Sequence, residues 1–157
     1  MKHIIGVLVE NKFGVLAHIS GLFSARGFNI QSLAVGETED PSMSRMTIVV
    51  EGDDRILEQV KKQLNKLIDV IKVLDLTKSK YLARELALIK VAVTSKTKQN
   101  VIQVVDSVKG KILHASDQLV VIEISDEKDT INSLIELLKP FGIKEISRTG
   151  KIALGLD

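Results

Sequence analysis

Asn11, Gly14 and Asn29 are small, neutral and polar or bare, and they surround one helical segment in the stretch ENKFGVLAHISGLFSARGFNIQSL, Glu10 to Leu33. Nothing in that stretch pairs a nucleophile with a base. Its chemistry is non-covalent. A helix beginning near Val15 leaves backbone N–H groups without intrahelical acceptors, and such groups suit a carboxylate or a phosphate. Gly14 lets a ligand approach the backbone. The Asn11 amide both donates and accepts, so it can face an ammonium and a carboxylate together. Val15, Leu16, Leu33 and Val35 add aliphatic surface. The combination suits a small zwitterion with an apolar side chain. A plain βα turn, with Asn11 satisfying the turn and Gly14 relaxing the backbone, accounts for the same residues.

Other candidate chemistry fails on spacing. His3, His18 and His114 are far apart in sequence and match no metal-ligand pattern. His18 falls on the polar side of its helix. Asp53 and Asp54 precede an apolar-faced helix and read as N-caps. Glu37, Glu39 and Asp40 form an acidic turn beside Pro41. The stretch RTGKIALG lacks two residues of a phosphate loop, because Glu145 replaces its first Gly and Ile152 its Ser or Thr. Gly21 and Gly27 make no dinucleotide fingerprint. The chain has no cysteine, which removes disulfides and thiolate chemistry and makes the cytoplasm the expected compartment. The formal net charge is +2, from 22 basic and 20 acidic residues, and leaves no electrostatic footprint for nucleic acid.

These residues need elements to hold them. The chain has 157 residues, 45% hydrophobic but only 3% aromatic, so its core must be aliphatic. His3–Val9 reads as a buried strand. Val15, Leu16, Ile19, Leu22 and Phe23 lie on one helical face, and Gly27 ends that helix. Strands over Phe28–Val35 and Arg45–Val50 follow, then a helix marked by Ile56, Leu57, Val60, Leu64 and Leu67, then a strand over Val70–Leu76. The order is β-α-β-β-α-β. It repeats: strand Leu86–Val93, a helix carrying Val101, Val104, Val105 and Val108, strands Lys111–His114 and Gln118–Ile124, and a helix carrying Ile131, Leu134, Ile135 and Leu138. The last strand is Ile143–Ile146, with an extension toward Leu154. The fold class is α+β, with two tandem ferredoxin-like domains, each an antiparallel sheet under two helices. Residues 1–78 form the first, 79–83 a linker and 84–157 the second. RNA-recognition domains share this order, but they stack bases on aromatic residues of the two central strands. HIIGVLV and RMTIVV contain none. A small domain with an open sheet edge invites a second copy, so a homodimer is expected.

The first stretch resembles the start of an ACT domain, the amino-acid-binding regulatory module. The chain as a whole resembles the small regulatory subunits of acetolactate synthase. The resemblance is carried by GLFSARGFNIQSL, SRMTIVVEGD, QLNKLIDVIKV, RELALIKV and FGIKEISRTGKIAL, and it covers essentially the full length. Phe13 departs from it, since proline or a small residue is common there. The resemblance implies a chain with no active site and no cofactor of its own. It implies a catalytic large-subunit partner that uses thiamine diphosphate, Mg2+ and FAD, and activation of that partner. It implies feedback by valine or a related branched-chain amino acid. It places the effector between two ACT domains of a homodimer, with Asn11, Gly14, Val15 and Leu16 on one side and Asn29 and Ile30 of the partner chain on the other. The alternative is a stand-alone ACT-type amino-acid sensor with a different partner.

Overall fold

The computed structural model describes residues 1–157. In order, the elements are β1 (Lys2–Glu10), α1 (Val15–Ala25), β2 (Asn29–Glu37), β3 (Met43–Glu51), α2 (Asp54–Asn65), β4 (Val70–Asp75), β5 (Tyr81–Ala92), α3 (Lys98–Ser107), β6 (Lys111–Ala115), β7 (Leu119–Asp126), α4 (Lys128–Leu138), β8 (Ile143–Arg148) and β9 (Ile152–Gly155). One antiparallel sheet has the order β2-β3-β1-β4, and the other β6-β7-β5-β8. Each is a ferredoxin-like sheet, with the first strand of its repeat in the interior and the second on an edge. No helix is long and apolar enough to cross a membrane.

The first core forms because alternation on the strands meets helical spacing on the helices. Ile5, Val7 and Val9 of β1 and Met46, Ile48 and Val50 of β3 face Val15, Ile19 and Phe23 of α1 and Leu57, Val60 and Leu64 of α2. Full burial of such aliphatic side chains contributes roughly 1.5–3 kcal/mol each. Helix α1 stops as its sequence predicts. Gly27 takes φ 81°, its N–H donates to Ser24 C=O, and Phe28 N–H donates to Phe23 C=O. That Schellman closure stacks Phe28 edge-on against Phe23, ring centres 6.0 Å apart. Helix α2 is capped by Asp53, whose carboxylate accepts the Arg55 N–H at 2.7 Å.

The chain divides into compact units at 1–83 with 151–157, and at 84–150. Residues 151–157 join the first unit by their contacts, although they follow the second repeat in sequence. Tyr81 already begins β5, and Tyr81 and Ala83 pack on Ile4, Val49 and Leu76. The last strand does not run on from β8. Gly150 turns the chain with φ 78°, and β9 pairs with β5. Leu156 N–H donates to Lys80 C=O at 2.9 Å, and Ala153 N–H to Thr47 Oγ1 at 3.3 Å. Residues 151–157 thus help cover the face of the first sheet that its helices leave bare.

One ion pair fixes the end of β4. Lys61 on α2 lies 3.2 Å from Asp75 Oδ2, and Thr77 N–H donates to Asp75 Oδ1 at 3.1 Å. Partial burial works against the Asp75 carboxylate, but the Thr77 and Lys61 hydrogen bonds outweigh it and hold its pKa below the usual value. A depressed folded pKa contributes stability above the unfolded value, near 3.9, and that contribution is lost as pH falls through the folded value. Asp75→Asn is therefore expected to lower stability at pH 7 and to flatten its decline below about pH 4. Urea unfolding from neutral to acid pH reads both effects. A variant curve parallel to wild type across the acid limb contradicts this assignment.

Candidate functional site

Strand β1 ends at Glu10, whose N–H donates to Asp69 C=O at 2.8 Å. The chain then turns. Asn11 N–H donates to Ser42 C=O at 2.7 Å. The Asn11 amide Nδ2 donates to Glu37 Oε1 at 3.2 Å and to Pro41 C=O at 3.1 Å. With Nδ2 so engaged, the amide binds the acidic turn after β2 and leaves its carbonyl oxygen to accept. Sequence reasoning missed that link, because Glu37 reads as a solvated turn residue.

Gly14 is the N-cap of α1, at φ 84° and ψ −9°, and no side chain caps the helix. A left-handed residue here swings the chain from the turn into the helix, and glycine adopts that geometry without penalty. A Cβ on residue 14 would meet nothing within 4 Å. The uncapped first turn therefore opens onto free space. Lys12 lies beside it, 2.7 Å from Glu10 Oε2. The hydrogen bond and charge of Glu10, with a weaker pull from Asp69, raise its pKa.

The expected site residues separate into distinct roles. Val15 is buried among Ile19, Phe23 and the β1 side chains, so it can offer a ligand only its backbone. Leu16 is 43% exposed and Phe13 wholly so. Leu33 packs against the first core, and Val35 stands 46% exposed on the edge strand. Asn29 is exposed and Ile30 half-buried, at the start of β2. The register decides where that start lies. Asn29 pairs with Glu51, which pairs with Lys2, while Glu37 pairs with Ser44, which pairs with Val9. Asn29 and the Asn11 loop therefore occupy opposite ends of one sheet, about 25 Å apart along the strands at ~3.3 Å per residue. One protomer does not bring them together. His18 is exposed as expected, whereas His3 is buried, with Nε2 3.0 Å from Asp54 Oδ1.

A family model described as the AHAS small subunit-like ACT domain matches residues 5–72. A second, the small subunit of acetolactate synthase, matches residues 84–156. The probable acetolactate synthase small subunit of Archaeoglobus fulgidus is 49% identical over 154 residues, spanning 98% of this chain and 96% of that protein.

The chain belongs to the acetolactate synthase small-subunit family.

The small subunit of Aquifex aeolicus is 51% identical, over 98% of this chain and 80% of its own length. The crystal structure of the small subunit from Thermotoga maritima superposes with a TM-score of 0.90 at 40% identity, covering 99% of this chain and 97% of that one. The likeness extends through both units, so the tandem ferredoxin-like architecture is that of the family. The Asn11 turn, Gly14 and the start of β2 all fall inside its ACT module.

Proposed function

We propose that the chain is the regulatory subunit of an acetolactate synthase of branched-chain amino acid biosynthesis. It docks on a catalytic large subunit that supplies thiamine diphosphate, Mg2+ and FAD and condenses pyruvate with a second 2-oxo acid. Docking raises the activity of that subunit. Valine or a related branched-chain amino acid, bound at the ACT module, lowers it.

The separation of Asn11 from Asn29 carries the proposal for the site. Strand β2 is an edge of its sheet, with backbone groups open to another strand. Antiparallel pairing of β2 with its own copy about a two-fold axis at Leu33 sets the partner's Asn29 opposite Glu37. Glu37 already holds Asn11. The two halves of the expected site then meet, and a dimer contains two such sites. The ligand's carboxylate takes the uncapped α1 entrance, and its ammonium takes the Asn11 carbonyl and the Glu37 carboxylate. A helix end for the carboxylate and the Glu37 carboxylate for the ammonium match a molecule that carries both charges and no net charge. Burying an isopropyl group stabilises the complex by roughly 1.5–3 kcal/mol. After the cost of ordering, binding of about −4 to −8 kcal/mol gives millimolar to micromolar affinity.

Mixing variants tests the shared site. Dimers reassembled from Gly14→Asp and Asn29→Ala chains pair one doubly defective site with one intact site. Neither variant alone should give valine heat in calorimetry, while the mixture should recover about one site in four. A mixture as silent as its parents would place both residues in the same protomer's site. Purified alone, the chain is expected to form no acetolactate from pyruvate, and titration into the catalytic subunit should raise its turnover. Acetolactate formed by a preparation free of catalytic subunit would sink the regulatory reading.

A further inference from the structure

The chain has four phenylalanines. Phe23 and Phe28 are buried in the first core, and Phe141 packs against the second. Phe13 is wholly exposed. A large apolar ring left in water contributes nothing to folding, and this one stands immediately before Gly14, at the uncapped start of α1. Its backbone is held on both sides. Lys12 is tied to Glu10 at 2.7 Å, and the Gly14 C=O accepts the His18 N–H at 3.1 Å. The ring itself is free to turn about its own side-chain bonds. The space over residue 14 is open, since a Cβ there would meet nothing within 4 Å.

We infer that Phe13 is a specificity-determining wall of the effector site, its ring closing over the apolar side chain of a bound amino acid. The inference rests on the effector site proposed above. There the helix entrance takes the ligand's carboxylate, and Asn11 and Glu37 take its ammonium, so its side chain alone remains to be covered. Few groups can cover it. Val15 gives its side chain to the first core, and Ile30 and Leu33 pack against that core. Leu16 and Val35 remain exposed. Phe13 and Leu16 bracket the open backbone of Gly14 and Val15 in sequence. A side chain seated at that backbone meets Leu16 on one flank and, once the ring turns in, Phe13 on the other. An aromatic ring turns about only two side-chain bonds, so ordering it costs little against the apolar surface that it covers. Such a wall grades ligands by length: the isopropyl group of valine reaches it, and the methyl group of alanine stops short.

The test is calorimetry of the full chain with valine and, by displacement of valine, with alanine. Phe13 is exposed, so its variants are expected to fold. Phe13→Ala should weaken valine binding about tenfold and alanine binding by no more than about twofold. Phe13→Leu keeps an apolar cover and should weaken valine binding only about threefold. The ring also reports directly. With its phenylalanines fluorinated, the chain gives four fluorine resonances, and the one missing from Phe13→Leu should shift on saturation with valine. Unchanged valine affinity in Phe13→Ala, or a Phe13 resonance that stays in place while valine heat saturates, puts the ring outside the site and leaves the effector reading standing. Equal losses for valine and alanine overturn the wall as well, because the substitution then acts through the loop and not on the ligand's side chain. A wild-type chain that gives no valine heat removes the effector site and the wall together.

Discussion

Gly14→Asp is expected to abolish the valine response of the reconstituted synthase while leaving activation close to wild type. The new carboxylate would stand at the uncapped start of α1, where the ligand's own carboxylate belongs. Like charges about 4 Å apart, at an effective dielectric near 20, repel by about 4 kcal/mol. That is comparable to the whole expected binding energy. The backbone adds a second effect, because residue 14 sits at φ 84°. A left-handed position costs an L residue about 1–2 kcal/mol, least for Asp and Asn. Space is not limiting, since the Cβ meets nothing. Gly14→Asn therefore carries the same bulk and nearly the same strain without the charge. It should shift the valine titration by about tenfold, and Gly14→Asp should shift it by a hundredfold or more. Reconstituted activity across a valine titration compares the three chains. If Gly14→Asp responds at wild-type valine concentrations, the effector binds elsewhere. If both variants lose secondary structure and neither activates, Gly14 is only a turn residue.

Much of the fold was legible because its patterns are local. Alternation in IIGVLV and RMTIVV, and the three-four spacing of Ile56, Leu57, Val60 and Leu64, depend on a few neighbouring residues and on one buried face. Gly27 and Asp53 were readable for the same reason: a cap is satisfied within its own turn. What escaped was long-range. Strand β9 has four residues, too few to show a period, and nothing in KIALG says that it returns to Thr47. Tyr81 and Ala83 alternate, but two residues in a polar stretch do not announce a strand. Val15 was expected both on the apolar face of α1 and beside a ligand. The core took its side chain, because Val15, Ile19 and Phe23 form one stripe. The Asn11–Glu37 bond joins residues 26 apart in sequence and follows from strand register, which the pattern of a single strand does not fix.

In the second unit, the largest single loss is expected from Arg148. Its Nε donates to Glu85 Oε1 at 2.6 Å and its Nη2 to Glu85 Oε2 at 3.2 Å, a two-pronged bond between β8 and the start of β5. Glu85 is only 4% exposed. The pair is anchored on both sides: Ala87 stands opposite Arg148 in the ladder, and Leu86 and Thr149 exchange hydrogen bonds through backbone and hydroxyl. The carboxylate therefore has little freedom to turn outward. Arg148→Ala leaves it buried without a counter-charge, a loss of about 3–5 kcal/mol. For a unit of this size, each kcal/mol corresponds to about 4–8 °C in Tm. Arg148→Lys keeps the charge but loses the fork and should fall between wild type and alanine. The pair itself need not stabilise the fold. Replacing both residues, Glu85→Leu with Arg148→Met, removes the desolvation cost along with the attraction, and should recover most of the lost stability. Thermal unfolding of the four chains separates these contributions. If Arg148→Ala melts within a few degrees of wild type, Glu85 finds water or another donor, and the bond closes the sheet edge without supporting it.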